Sequence, residues 1–465
     1  MVFYCSIVSI SFKAQVLDLF QPDSAKNIFV TDIVFDGNNV TKERILLREL
    51  PVAKGDSLNW VDFKEILARC KANLLNTSLF NFVSVTPIYL ENNTVLINIS
   101  VTERWYVYPL PIFELAETNF NTWWQTKDLR RTNYGGFLLW NNFRGTNQTL
   151  FATAQFGYTK KFGLRYKVPY LDKAQKLGLD LSANYFENYE VNYATLDNIR
   201  LFYSKPGGNA RNTQILKARF TYRNNLYFSH SLEFSNINVT VSDSAIVLNA
   251  DYFGGATPQS SYFNSAYSFV YDKRDFKSYP LQGIIFYGYI QKDGVGFIKN
   301  NEIDVTTTGG GIEKYFKINK NVFFNVALKG KTTWNSNLPY YLNRGLGYGD
   351  LVRGYELYVV NGQHYALLKS HLKYQVLAPR EVNLNFIPSK KFSKLFIAIY
   401  LNAFADAGKA FDTKYASTNF LSNKYLFGKG FGLDIVTYYD KVVRFEYTFN
   451  NIGERGFFID FKQAF

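Results

Sequence analysis

The sequence predicts a mostly β fold, a transmembrane antiparallel β-barrel of about 16 strands preceded by one small α/β domain. Three observations carry this expectation. Helical spacing of apolar residues is confined to the segment before Glu103, and alternation at period two takes over from about Tyr106. No run of about 18 consecutive apolar residues occurs, which excludes a membrane-spanning helix although 47% of the chain is hydrophobic. That hydrophobic content is aromatic, with 43 Phe and 35 Tyr against a single Met, a chemistry suited to pleated surfaces and interfacial girdles rather than to a soluble α/β core.

Residues 1–14 read as the end of a secretory signal peptide, an apolar stretch followed by small residues, with cleavage expected after Ala14. Cleavage there removes Cys5 and leaves Cys70 as the one mature cysteine, so no intrachain disulfide can form. Cys70 falls on an apolar helical face and is expected to be a buried, inert thiol.

Residues 27–104 form the leading domain, with the pattern β-α-α-β-β. A strand over 28–35 is followed by the turn Asp36-Gly37-Asn38-Asn39, and Thr41 is expected to cap a short helix ending near Leu50. Asn59 can cap a second helix, in which Phe63, Ile66, Leu67, Cys70 and Leu74 recur as one apolar stripe. Strands over 82–90 and 95–101, joined by Glu91-Asn92-Asn93, complete an expected three-stranded sheet.

Residues 106–465 form the barrel. Phe445, Tyr447 and Phe449 alternate with Arg444, Glu446, Thr448 and Asn450; Leu368, Leu372, Tyr374 and Val376 alternate with Lys369, His371, Lys373 and Gln375. One face suits lipid and the other a polar lumen. A soluble sandwich alternates in the same way, so periodicity alone leaves that alternative open. At about 10 residues per strand plus turns, this length makes roughly 16 strands. Lys205-Pro-Gly-Gly-Asn209, Gly254-Gly255 and Asn319-Lys-Asn321 read as turns, and the glycines at 309–311 as a kink in a strand.

The balance of 52 Lys and Arg against 38 Asp and Glu gives a net charge of +14, but the basic residues are spread through strands and turns. They fit a solvated lumen and turns, or attraction to phosphate-bearing lipid headgroups, and do not indicate nucleic acid. Catalysis has little support, and no cofactor is implied. The three histidines are His230, His364 and His371; the last two differ by an odd number, so one strand would point them to opposite sides. No Ser-His-Asp order, cysteine pair or H-E-x-x-H occurs, and a hydrolase built on His230 is a remote alternative.

A spaced series covers nearly the whole first domain: the turn containing Gly37 and Asn38, then Lys54-Gly55-Asp56, then Leu74-Leu-Asn-Thr-Ser-Leu-Phe-Asn-Phe-Val83, then Val101-Thr102-Glu103. It resembles the POTRA domain of BamA-like outer-membrane assembly proteins and D15-type surface antigens, here in a single copy. Within the barrel, Leu351-Val352-Arg353-Gly354-Tyr355 is similar to that family's VRGF/VRGY loop tip, and Phe404-Ala405-Asp406-Ala407-Gly408 to its F-x-D-x-G strand motif. The resemblance implies that Arg353, Gly354 and Tyr355 form a loop folded into the lumen and that Asp406, next to Gly408, receives the arginine bidentately. Many relatives carry a glutamate on the preceding strand where this chain has His371, so the resemblance names no second acceptor.

Asp272-Lys-Arg274-Asp275 with Pro280-Leu-Gln-Gly283 resembles the family's D-x-R-D…P-x-x-G segment, and Gly430-Phe-Gly432 leads to Val443-Arg444-Phe445. The terminal stretch, with Phe457, Ile459, Phe461 and Phe465 in register, resembles the aromatic β-signal of outer-membrane barrels. At the other end Pro109 and Pro111 lie either in the first barrel strand, weakening its seam with the last, or in the linker before it. The resemblance implies the same strand number, an outer-membrane location with the POTRA domain in the periplasm, and assembly or insertion of outer-membrane proteins. The alternatives are a two-partner secretion exporter of one polypeptide and a passive pore or surface antigen. Implied partners are outer-membrane lipid, unfolded outer-membrane proteins or a secreted polypeptide, and periplasmic chaperones or accessory lipoproteins.

Overall fold

The computed structural model describes residues 27–115, 131–296, 303–334, 338–383, 394–437 and 441–463. The signal-peptide segment, with Cys5 and Ala14, and the terminal Phe465 lie outside these residues.

The first domain contains β1 (Ile28–Asp36), α1 (Glu43–Leu47), β2 (Ser57–Leu58), α2 (Trp60–Asn76), β3 (Phe80–Leu90) and β4 (Thr94–Glu103). Its sheet is four-stranded, in the order β2-β1-β4-β3, with β1 parallel to β4. The expected three-stranded sheet gains β2, a two-residue strand too short to carry a periodic signal, which pairs antiparallel with β1. The stripe on α2 packs onto this sheet: Phe63, Cys70 and Leu74 are fully buried with Ile28, Ile97 and Ile99. Asn59 caps α2, its side chain accepting from the Asp62 amide.

Thr41 does not cap α1, which ends at Leu47 rather than near Leu50; Lys42 occupies the N-cap position without a side-chain bond. Instead the Thr41 hydroxyl donates to Glu103 at 2.6 Å, and the same carboxylate accepts from the Thr41 amide at 2.7 Å. The Val101-Thr102-Glu103 segment thus holds the turn containing Gly37 and Asn38, where Gly37 has φ 85° and a Cβ would stand 2.0 Å from the Val101 carbonyl.

The second sheet has sixteen antiparallel strands. In chain order they are β5 (Val107–Leu115), β6 (Thr132–Phe143), β7 (Gln148–Gly157), β8 (Thr159–Val168), β9 (Leu177–Asn188), β12 (Arg211–Arg223), β13 (Phe228–Val241), β14 (Gln259–Asp272), β15 (Gly283–Asp293), β16 (Val305–Lys317), β17 (Val322–Thr333), β18 (His364–Asn383), β19 (Lys394–Phe411), β20 (Leu426–Thr437), β21 (Lys441–Asn450) and β22 (Arg455–Gln463). A separate hairpin, β10 (Glu190–Leu196) and β11 (Ile199–Ser204), stands in the connection after β9. Alternation sets the faces as expected: Leu368, Leu372, Tyr374 and Val376 are exposed outward, whereas Arg444, Glu446 and Thr448 are buried inside.

Two local expectations are corrected. The glycines at 309–311 do not kink β16, which pairs with β15 without a register break. They make room instead, since Cβ atoms on Gly309 and Gly311 would stand 2.5 and 2.8 Å from the hydroxyls of Tyr289 and Tyr287. Helix also recurs after Tyr106, as the short α3 (Asp243–Leu248) in the connection after β13.

The first domain docks on the turns at one end of the barrel. Glu49 accepts from Arg223 at 2.5 and 2.7 Å and from Tyr170 at 2.9 Å; Arg48 donates to the Gln175 carbonyl at 3.0 Å; Asn142 donates to Thr41 at 2.8 Å. At the opposite end the connections pack on one another. Asn198 is fully buried, donating to the Val359 carbonyl at 3.1 Å and accepting from the Leu421 amide at 2.8 Å.

Candidate functional site

The connection between β17 and β18 turns back into the lumen. Leu346, Val352, Tyr355 and Val360 are buried there against Leu367, Ala410, Leu421 and Leu426. Glycines clear its path. Gly354 takes φ 94°, a backbone conformation that L side chains rarely adopt. A Cβ on Gly428 would stand 1.7 Å from the Arg353 carbonyl, and one on Gly408 would stand 2.7 Å from Val352. The glycine of the strand motif is therefore explained by the passage of the loop tip over it.

Arg353 reaches Asp406 through Nε at 2.8 Å and Nη2 at 2.5 Å, and the Arg353 amide donates to the same carboxylate at 3.2 Å. Both residues are almost fully buried, at 5% and 3% exposed. The guanidinium carbon lies 3.7 Å from the centre of the Phe404 ring, so the motif's aromatic forms the floor of the site. Gly430 leaves space for that ring, which a Cβ would approach to 2.6 Å. Tyr355 bonds to Asn451 at the end of β21.

A second carboxylate does face Arg353. Nη1 donates to Glu446 of β21 at 3.3 Å and also contacts His371 Nε2. The acid sits on a different strand, so comparison with the preceding strand could not find it; the available signal was its polar-face alternation with Arg444. Next to it Arg444 binds Asp434 at 2.8 and 3.1 Å. Lys369 stands 3.6 Å from Asp406 and donates to the Leu351 carbonyl at 3.1 Å.

The Asp272 to Gly283 segment is the turn between β14 and β15. Arg274 binds Asp272 at 2.8 and 2.9 Å, and Asp275 accepts from the amides of Phe276 and Leu281 across the turn. Gly283 has φ 108°, and a Cβ there would stand 2.3 Å from the Lys273 carbonyl. Pro280 follows Tyr279, a residue the sequence did not single out and which the turn buries inside the barrel mouth.

Pro109 and Pro111 lie within β5, not in the linker. The Asn141 amide bonds to the Tyr106 carbonyl, and Tyr106 and Asn141 continue the β5–β6 register. Even-numbered residues of β5 thus bond to β6, and odd-numbered ones face the other edge. Both prolines are on that edge. Among the described residues no ladder joins β5 to β22, the two ends of the sheet. Phe457, Ile459 and Phe461 of β22 point outward. His364 and His371 occupy opposite faces of β18, whereas His230 lies on the outer surface, bonded to Tyr267 at 2.8 Å among Tyr222 and Phe228.

The fold is shared with solved structures. BamA from Haemophilus ducreyi lacking POTRA domains 1-3 matches with a TM-score of 0.50 and 15% identity, over 93% of this chain and 83% of that one. CdiB from Escherichia coli matches with a TM-score of 0.55 and 11% identity, over 94% and 76%. No curated protein sequence matches the chain. The family model for POTRA, surface antigen variable number repeat, matches residues 28–104, and that of the Omp85 superfamily domain matches residues 142–451, more than half of the chain. The chain therefore belongs to the Omp85 superfamily, as a BamA-like outer-membrane β-barrel of the insertion and translocation kind led by a POTRA domain.

Proposed function

We propose that this protein inserts unfolded outer-membrane proteins by opening laterally between β5 and β22, with the POTRA domain in the periplasm as the first receiver. The observation that carries the reading is the seam. Of the edge-facing positions Val107, Pro109, Pro111, Phe113 and Leu115, two have no N–H to offer a neighbouring strand. An edge so poor in donors closes weakly, and an incoming strand can pair there by β-augmentation.

Sheet order supports the same place. β5 and β22 lie at the two ends of the sheet order, across the barrel from β13 and β14. β3 is the last strand of the POTRA sheet order among the described residues, an edge position that suits an extended client or the tail of a periplasmic chaperone or lipoprotein. The Arg353–Asp406 pair acts as the lock that keeps the loop tip inside the lumen while the seam works.

The exporter reading, a secreted polypeptide threading the lumen, meets a loop held in its path and outer connections packed around Asn198; the same obstruction weighs against a passive pore. Reconstitution with an unfolded barrel client decides among them. Insertase activity gives faster client folding than empty liposomes. Equal rates overturn the reading, loss of a single exported substrate on deletion favours the exporter, and stable conductance without a polypeptide effect favours the pore.

A further inference from the structure

The turn between β14 and β15 touches both the POTRA domain and the lumen. At its outer side the last residue of α2, Asn76, grips two points of its backbone: the side-chain amide donates to the Asp275 carbonyl at 3.0 Å, and its oxygen accepts from the Lys277 amide at 2.8 Å. At its inner side Tyr279 enters the barrel mouth. Its ring packs 4.9 Å from that of Tyr400, under the Lys373 ammonium at 3.9 Å. Its hydroxyl donates to Asp434 at 2.7 Å.

Asp434 is fully buried, and its other donors are Arg444 and Asn402, the latter at 2.9 Å. Arg444 in turn lies 3.7 Å from Glu446, which accepts from Arg353, the partner of Asp406. Hydrogen-bonded and ionic contacts, with the backbone from Lys277 to Tyr279 as one covalent link, thus run from the end of a POTRA helix to the loop tip. In a low-dielectric interior such a chain is sensitive, because each carboxylate is shared by donors on two sides and a lost donor makes the rest reorient.

We propose that Tyr279 is a positioning residue through which the POTRA domain sets the loop tip: Asn76 holds the turn, the turn holds Asp434, and Arg444 with Glu446 aims the Arg353 guanidinium. A shift of the domain on the barrel rim then reaches the strands next to the seam without any direct contact between domain and loop. The coupling is independent of which polypeptide the protein handles.

The test is hydrogen exchange on the full chain in lipid nanodiscs, read in peptides covering residues 351–356, for Asn76→Ala, Tyr279→Phe, the double variant and Asp406→Asn. Each of the first two is expected to speed exchange at the loop tip about tenfold, and the double variant no more than either alone. Protection of the Cys70 thiol from alkylation checks that the POTRA domain stays folded in every variant. An Asn76→Ala effect confined to residues 273–282, or a double variant whose effect is the product of the singles, overturns the proposal. Asp406→Asn reports on the lock separately: if it alone loosens the tip, the lock stands and the coupling fails.

Discussion

The wall from β18 to β21 and the seam between β5 and β22 are built from the same alternating pattern but held in opposite ways. β18 and β19 have twenty and eighteen residues and pair over almost their whole length. Inside the wall, Asp406 of β19, Asp434 of β20, and Arg444 and Glu446 of β21 meet Arg353 of the loop tip as buried opposite charges in mutual contact. The seam strands share no ladder among the described residues, and one of them has prolines where donors would be. The difference teaches that this barrel ties β18 to β21 to the loop tip through buried charge pairs, while the sheet ends beside them share no backbone pairing among the described residues.

The contrast can be broken most severely at the wall. Arg353→Glu places a third carboxylate against Asp406 and Glu446, and breaking a buried pair costs about 3–5 kcal/mol. Lowered barrel unfolding temperature and lost client folding are expected, with partial rescue by Asp406→Arg; wild-type behaviour of the single variant would falsify the lock. Gly428→Ala tests the path rather than the charge. Its Cβ collides with the Arg353 carbonyl, and a strain of about 1–3 kcal/mol should expose the loop between β17 and β18 to limited proteolysis.

At the seam the sign reverses. Replacing Pro109 and Pro111 together with Val restores two edge donors, each worth about 0.5–1.5 kcal/mol if paired. The barrel should become more resistant to denaturant and the client reaction slower. Unchanged rates for both would remove the seam from the mechanism.

Smaller effects sharpen the boundary between domain and barrel. Burial pushes the Glu49 carboxyl up, but the hydrogen bonds and charge of Arg223 and the Tyr170 hydroxyl outweigh it and hold its pKa below the ordinary carboxylate value. With the docked pKa depressed, the contact is at full strength above the ordinary carboxylate range and is lost as pH falls through the docked value. Spin labels on the domain and the barrel rim should therefore report a fixed distance at neutral pH and a broadened one in acid, while Glu49→Gln broadens it at both. The smallest expectation concerns Cys70, whose thiol burial pushes up to about 12. It should resist alkylation at pH 8 until the POTRA domain unfolds.

Much of this is legible in the amino-acid sequence. Arg353 and Asp406 were paired from motif order, and the alternation around Glu446 and Tyr374 assigned both faces, because in a strand the side-chain period is two whatever the partner. The sequence did not reveal what depends on which strands become neighbours. Glu446 replaces the expected acid on the strand of His371, Thr41 abandons a helix cap for Glu103, and Tyr279 crosses from a turn to Asp434; each contact joins residues tens to hundreds of positions apart.

By itself the sequence determined the class of the fold, a leading α/β segment ahead of the strands, and the faces of the strands where alternation is clear, since these follow from local periodicity and turn chemistry. The tertiary structure decided the edge on which Pro109 and Pro111 fall and the connection from Asn76 to Arg353. Those depend on register and on the curvature that wraps sixteen strands around one loop, which no local pattern encodes.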